Sequence, residues 1–299
     1  MPMKRDAKER VVDWLLVALM VLPFVLSMTL KVLLKPAGEG ISITGAQVYF
    51  TIPMPVMDLP ITESQVNSLM VVLSILGLCL YLTHGISVAP HSKRQIVAEW
   101  IVEKVQNMVN SNMGAYFSAF APFIAGIMFI SAFSSLSSLL GLFPPTSDMN
   151  IVAGWAILVF VLITYYKLKG GLLPYVKGFF EPVFIFAPFN IIGEVATPVS
   201  MSFRHYGNVL SGMVISTLVA YALQTLSHML LGWLPGVLGQ FPFLQVGLPA
   251  ILSLYLDIFS GLMQAFIFAL LTTIYISTGF PQEEYERRKA KRKKALHTA

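Results

Sequence analysis

Residues 189–231 read FNIIGEVATPVSMSFRHYGNVLSGMVISTLVAYALQTLSHMLL, and this apolar run decides the fold. A continuous helix of this length would be about 65 Å long, whereas the hydrocarbon core of a bilayer is about 30 Å thick. Pro198 lies early in the run, but the residues after it still exceed one normal span, so we expect a strongly tilted helix. The run carries one arginine, Arg204, whose permanent charge is costly in hydrocarbon. An isolated intramembrane arginine predicts a functional site.

The composition is that of a polytopic membrane protein. Of the 299 residues, 56% are apolar and 12% are charged, which excludes an ordinary soluble globular domain. The single cysteine, Cys79, excludes a disulfide framework and a thiolate metal cluster. Because it lies in an apolar run, we expect it to be a buried structural side chain.

Six apolar runs predict helices that cross the membrane. They comprise residues 11–34, 69–85, 116–143, 151–166, 189–231 and 248–277. The first follows a basic segment, as a signal peptide does, but its length and its continuation to Lys31 and Lys35 favour an uncleaved span. Residues 38–67, which are rich in proline, predict an exposed connection with one extended piece.

Two of these runs carry polar residues with an expected structural role. In the third run, the serines at 134, 135, 137 and 138 suit close packing of helices. The fourth run is short for a span, and we expect Lys167 and Lys169 to extend it by snorkelling.

Residues 92–109 form an amphipathic pattern between the second and third runs. The apolar set is Val97, Trp100, Ile101, Val105 and Met108, and the polar set is Gln95, Glu99, Glu103 and Gln106. This helical spacing is typical of a helix that lies on the membrane surface. A helix packed on a partner subunit would show the same pattern.

The distribution of basic residues predicts the orientation of the spans. With the N-terminus inside, 17 of the 20 lysines and arginines fall in inner segments, whereas Lys35 lies outside. This positive-inside pattern predicts that both termini are cytoplasmic. We therefore attribute the formal net charge of +5 to membrane topology and not to a nucleic-acid surface.

Each of the last two runs carries one polar stripe at helical spacing. The stripe on the fifth helix consists of Ser200, Arg204, Asn208 and Ser211, and that on the sixth of Ser253, Asp257, Gly261 and Gln264. We expect the stripes to face each other across a hydrated path, with Asp257 two turns away from the arginine. The alternative is one buried Arg204–Asp257 ion pair that merely joins the helices, although such pairs stabilise proteins poorly.

A fixed positive charge on such a path has a predictable effect on ions. It repels mobile cations, and it keeps a nearby carboxylate ionised. Arg204 is therefore expected to divide the path, so that protons or sodium ions enter on one side and leave on the other. This requires a mobile carrier, supplied by another chain, that exchanges its ion at the arginine.

Other titratable residues each have two open interpretations. Glu194 and Glu181 either line an inner channel or occupy a solvated helix start, where acids are favoured. Asp148 either recruits ions at an outer mouth or helps to cap the fourth helix. His205 points about 100° away from Arg204 around the helix, and we favour packing over proton relay for its role.

Four segments of the sequence carry a resemblance to subunit a of the F-type ATP synthases. They are PVSMSFRHYGNVLSG at 198–212, GLMQAFIFALLTTIY at 261–275, PPTSDMN at 144–150, and the span beginning ITESQVNS at 61–68 with the surface helix after it. The similarity covers roughly residues 58–281, with its motifs in the order of the family. It departs in that His205-Tyr206 stands for the usual Leu-Phe, and Met213 stands where some members place a glutamate.

The resemblance implies roles for the residues that match its motifs. Arg204 is implied as the essential arginine, which faces the carboxylates of a rotating c-subunit ring between two aqueous half-channels. Asn208 and Gln264 match the conserved amides beside it. Asp257 matches a position that carries histidine or a carboxylate in other members, which places it in the outer channel. Without a glutamate at Met213, it relays protons there more nearly alone.

We therefore expect an all-α membrane protein of six spans and three regions. Residues 1–67 form an extra N-terminal transmembrane helix and an external connection, 68–281 form the subunit a membrane domain, and 282–299 form a basic cytoplasmic tail. Within the domain, two long tilted helices at 189–231 and 248–277 face the c-ring.

The resemblance further implies partners and a location. The expected partners are the c-ring, the b subunits of the peripheral stalk, membrane lipid, and H⁺ or Na⁺, with no cofactor and no nucleic acid. Because no GxxxxGK[ST] phosphate loop is present, we expect no ATP site and no catalytic role in this chain. The resemblance implies that it is a subunit of a complex in a bacterial cell membrane. The rival hypothesis is a secondary transporter or channel in which Arg204 binds an anionic substrate, but no internal repeat favours it.

Overall fold

The computed structural model describes residues 7–34, 45–55, 57–88, 92–181, 184–233, 243–245, 247, 251–252, 254–283 and 285. The helices among them are α1 (Ala7–Leu34), α2 (Glu63–Thr83), α3 (Lys93–Met113), α4 (Ala121–Leu136), α5 (Met149–Lys169), α6 (Leu172–Phe179), α7 (Ala187–Leu231) and α8 (Gly261–Gly279). Short 3₁₀ turns extend α4 at both ends, and a π-helical segment, Leu254–Ser260, leads directly into α8. Among the described residues, six helices are long and apolar enough to cross a membrane, which confirms the expected all-α membrane architecture.

The connection before α2 is more ordered than the sequence predicted. It contains an antiparallel hairpin of β1 (Val48–Ile52) and β2 (Leu59–Thr62), where one extended piece was expected. The second span also begins earlier than predicted, at Glu63, because Thr62 and Gln65 form a capping box. The first turns of α2 bury Glu63, Ser64 and Asn67, and each of these polar side chains has a partner.

The extra N-terminal helix α1 is docked along α2. At their closest approach, a Cβ on Gly77 would lie 2.8 Å from the Met20 backbone nitrogen, so only glycine fits there. Near one end of α1, Arg94 at the start of α3 pairs with Asp13 at 2.7 Å. Near the other end, Lys31 pairs with Glu63 at 3.1 Å.

The buried face of α3 is rotated relative to the predicted amphipathic pattern. Val97 and Trp100, which were assigned to the apolar side, are exposed. Gln95, which was assigned to the polar side, is buried because its amide donates to Ser87 O at 2.6 Å and to Glu99 Oε1 at 2.7 Å. Pairing with these acceptors overrides the polarity of the side chain.

Helix α4 lies in the centre of the bundle and packs closely on α8. Ser134 and Ser135 are buried there, and a Cβ on Gly261 would lie 2.7 Å from Ser135 Cβ. The predicted role of the serines in close packing is confirmed for this pair of helices. Cys79, by contrast, is exposed, so the expectation of burial was wrong. An apolar side chain in a spanning helix is also stable when it faces lipid.

Helix α7 is one continuous helix of 45 residues that passes through Pro198. The Pro198 carbonyl accepts a hydrogen bond from Ser202 Oγ at 2.9 Å. The predicted long fifth helix is therefore present, and its length exceeds the thickness of a bilayer about twofold. Of the predicted helix at 248–277, the structure describes residues 251–252 and the residues from Leu254 onward, and the helix ends at Gly279.

Candidate functional site

The polar stripe on α7 lies on a face that the described part of the chain does not cover. Ser200, Arg204, Asn208 and Ser211 are all exposed. Arg204 forms no ion pair within the described residues, so the alternative of a buried pair with Asp257 is not observed. The arginine is therefore free to meet a charge supplied by another molecule.

His205 lies on a different, buried side of α7. Its ring is 0% exposed, and its Nε2 atom lies 3.2 Å from Ser131 Oγ on α4. The ring also meets Trp155 on α5 and Phe268 on α8 edge to face, with centroids 6.0 and 5.4 Å apart. These contacts with three helices fit the packing role that the sequence favoured.

Asp257 and Gly261 each have a neighbour on α4 or on the 3₁₀ turn that follows it. Asp257 lies in the π-helical segment, is half-buried, and lies within hydrogen-bonding reach of Ser138. Gly261 on α8 lies against Ser135 on α4. Gln264 is buried, with 3% of its surface exposed. No hydrogen bond is observed between Gln264 and the α7 stripe among the described residues, and Ser253 lies outside them.

A cleft of about 610 Å³ opens where the ends of α5 and α8 meet α6 and the start of α7. Its polar lining consists of Lys167, Tyr175, Asn190, Glu194, Thr197 and Thr278. A second cavity of about 200 Å³ shares Lys167 and Glu194 with it and extends towards Phe160. We call the two together the inner cleft.

Three side chains form a hydrogen-bonded cluster in the inner cleft. Lys167 Nζ lies 2.9 Å from Glu194 Oε1, and the Tyr175 hydroxyl donates to the same oxygen at 3.0 Å. Burial, together with the hydrogen bond to the Glu194 carboxylate, raises the pKa of Tyr175 to about 12. Tyr175 therefore remains a neutral hydrogen-bond donor at physiological pH.

For Glu194 the sequence left two roles open, channel lining or a solvated helix start, and it did not predict the partners that Glu194 has in the inner cleft. Lys167, Tyr175 and Asn190 follow no common spacing, and only the fold brings them together. Glu181 is not among the described residues that line the inner cleft. Its side chain is exposed, and its backbone carbonyl accepts from Asn190 Nδ2 at 3.1 Å.

Polar groups at the other end of the bundle have structural partners. Asp148 caps α5 by accepting from the backbone nitrogen of Asn150 at 3.0 Å, and it also accepts from Ser64 Oγ. Glu63 is 3% exposed and accepts from the backbone nitrogen of Phe143 in addition to pairing with Lys31. The capping alternative for Asp148 is thus observed, whereas the Glu63 pair was not predicted. Among the described residues, no group of three or more His, Cys, Asp and Glu is placed to hold a metal ion.

The chain is similar to known subunits of ATP synthases. The model of the ATP synthase A chain family matches residues 66–277. An ATP synthase subunit a from Acidothermus cellulolyticus is 31% identical over 211 residues, which cover 67% of this chain and 70% of the relative. That of Bacillus pumilus is 31% identical over 236 residues, covering 73% of this chain and 93% of the relative. A subunit described as sodium ion specific, from Propionigenium modestum, is 26% identical over 275 residues, covering 81% and 88%.

These matches agree with the six spanning helices, and they cover most of the chain. Helix α1 lies before the matched region. The chain therefore belongs to the ATP synthase A chain family and is a multi-pass, non-catalytic subunit of the ion-translocating membrane sector of an ATP synthase.

Proposed function

We propose that this chain is the stationary ion-channel subunit of a rotary F-type ATP synthase. In this role it couples the movement of H⁺ or Na⁺ to rotation of a c-subunit ring and to ATP synthesis. The observation that carries the proposal is the exposed position of Arg204 on a face of α7 that the described chain leaves uncovered. A charge that is costly in hydrocarbon needs an anionic partner, and this chain supplies none among its described residues.

The composition of this face suits a close contact with other helices. Ala196, Ser200, Gly207 and Ser211 are small and exposed around Arg204. Small residues allow helix backbones to approach closely within a membrane. A ring of carboxylate-bearing c-subunit hairpins docked here would bring each carboxylate to the arginine in turn, while b subunits of the peripheral stalk prevent this chain from rotating with it.

Two access routes lie on opposite sides of Arg204 along α7. Glu194 in the inner cleft precedes Arg204 by ten residues, about 15 Å along the helix axis. Gly212 follows Arg204 by eight residues, about 12 Å along the axis, and lies next to Leu256, the neighbour of Asp257. In the proposed mechanism the inner cleft serves one half-channel and Asp257 the other. The fixed charge between them prevents a cation from passing directly.

The charge count supports an orientation for this mechanism. Because 17 of the 20 lysines and arginines fall on one side, we place both termini and the inner cleft in the cytoplasm. Asp257 then serves the outer side of the membrane.

The decisive experiment is ATP-driven ion pumping by the complete ATP synthase reconstituted in liposomes. Replacing Arg204 by glutamine is expected to abolish both pumping and ATP synthesis, because no fixed charge then drives the ring carboxylate to release its ion. Lys177→Gln is the matched control, since it removes a positive charge from an exposed side chain of α6 and should leave pumping near normal. Normal pumping by R204Q, or transport of an anionic solute without a c-ring, would contradict the proposal.

A further inference from the structure

In the Lys167–Glu194–Tyr175 cluster, an ammonium group and a hydroxyl group bind one carboxylate oxygen within the inner cleft. We propose that Lys167 is a specificity-determining residue, whose ammonium group acts as a tethered cation on Glu194 and excludes metal cations from the inner cleft. This inference rests on the proposed function, because it assumes that ions cross the inner cleft on their way to or from the ring.

The position of Lys167 is fixed by close packing against α8. A Cβ on Gly279 would lie 3.2 Å from both Cγ and Cε of Lys167, so the aliphatic stem runs directly over the backbone of α8. Even an alanine at position 279 would require the stem to shift by a few tenths of an ångström. The glycine thus lets Lys167 reach across from α5 to Glu194 on α7.

Both partners of the Glu194 carboxylate are hydrogen-bond donors. The ammonium group of Lys167 and the hydroxyl group of Tyr175 converge on Oε1, whereas Oε2 receives no hydrogen bond from the described residues. Glu194 is also the only carboxylate among the described residues that line the inner cleft. An ion that binds in the cleft therefore meets one carboxylate oxygen that is already occupied and one that is open.

This arrangement treats a proton and a metal cation differently. A proton needs a single lone pair, which Oε2 offers without any displacement of Lys167. A hard metal cation needs several oxygen ligands at once. It would have to compete with an ammonium group whose effective concentration is in the millimolar range or higher, because it is attached to the same chain. The ammonium group repels a proton and a metal cation alike, so the discrimination between them comes from the number of oxygen ligands that each ion needs.

The test compares sodium inhibition of ATP-driven proton pumping in complete complexes reconstituted in liposomes. Acidification of the liposomes is recorded while NaCl replaces choline chloride on the cytoplasmic face at constant ionic strength. We expect pumping by the unmodified complex to tolerate about 100 mM Na⁺ and K167M to be half-inhibited at a concentration at least about tenfold lower. K167R keeps the tethered charge and should tolerate Na⁺ as the unmodified complex does.

Lys169→Met is the matched control, because it removes the same charge two residues away on the same helix. The Lys169 ammonium group lies over the rings of Tyr165 and Tyr166 and does not line the inner cleft. Equal sodium tolerance of K167M and K169M would overturn the proposal. If K167M fails to assemble, the unmodified complex alone still tests the proposal. Proton pumping that requires Na⁺, or that is inhibited by low millimolar Na⁺, would overturn the proposal too. A complex that hydrolyses ATP but moves neither ion would instead refute the proposed function.

Discussion

Arg204 and His205 are neighbours in the chain but lie on different sides of α7. Arg204 is exposed on the uncovered face, whereas His205 is fully buried with its Nε2 atom 3.2 Å from Ser131 Oγ. Contacts of the His205 ring with α4, α5 and α8 oppose rotation of α7 about its axis. The packing of one residue therefore sets the direction in which the next one points.

Replacing His205 by alanine should destabilise the chain. The change leaves a cavity between three helices and removes the partner of Ser131, so we expect the free energy of unfolding to fall by about 2–4 kcal/mol. Denaturant unfolding in detergent measures the change. The control is Phe203→Ala, whose side chain is 59% exposed and whose loss should cost less than about 1 kcal/mol. Equal stability of the two variants would show that His205 does not lock α7.

Replacing Asp257 by asparagine should slow ATP-driven pumping severely. An amide cannot take up and release a proton at this position, and Met213 offers no second carboxylate on α7. Asp58→Asn makes the same chemical change at an exposed position in the loop between β1 and β2 and should leave pumping unchanged. Near-normal pumping by D257N would remove Asp257 from the ion path.

Replacing Lys31 by methionine should loosen the docking of α1. Glu63 is buried, so the loss of Lys31 leaves a buried carboxylate without its cation, at a cost of about 3–5 kcal/mol. The double variant K31M/E63Q removes both charges and should recover most of that loss. Thermal unfolding in detergent compares the three chains, and a K31M chain as stable as the unmodified one would exclude a role for the pair.

Replacing Gly77 by leucine should separate α1 from α2. The new side chain would begin 2.8 Å from the Met20 backbone nitrogen, a distance that the two helices cannot retain. Disulfide formation between cysteines placed at Ser27 and Asn67, which hydrogen-bond in the native chain, reports the contact. Gly154→Leu is the control, since nothing lies within 4 Å of a Cβ at that position. A disulfide yield in G77L equal to that in G154L would contradict the proposed fit.

Hydropathy was sufficient to predict the spans but not how they pack. The bilayer requires long apolar helices, and a run such as 189–231 shows that requirement directly in the sequence. The start of α2 was missed because Glu63 and Asn67 look like loop residues until their partners on α1 and near Phe143 are known. Contacts between helices distant in the chain leave no periodic signal.

In the candidate site, too, some residues could be identified from the sequence and others only from the fold. Arg204 was identifiable because a charge in a long apolar run is conspicuous, and its exposed position on α7 follows from helical spacing. The partners of Glu194 were not identifiable, since Lys167 and Tyr175 come from two other helices and each looks like an ordinary interfacial residue. The change from α to π geometry around Asp257 also has no reliable signature in sequence.

The π-helical segment Leu254–Ser260 carries Asp257 and leads directly into α8. A π-helical turn holds an extra residue, so deleting one residue there would restore a regular α-helix and leave the backbone hydrogen bonds intact. The deletion would, however, turn the preceding part of the helix by about 100° relative to α8. A deletion of one residue in this segment is therefore expected to change which side chain faces Ser138.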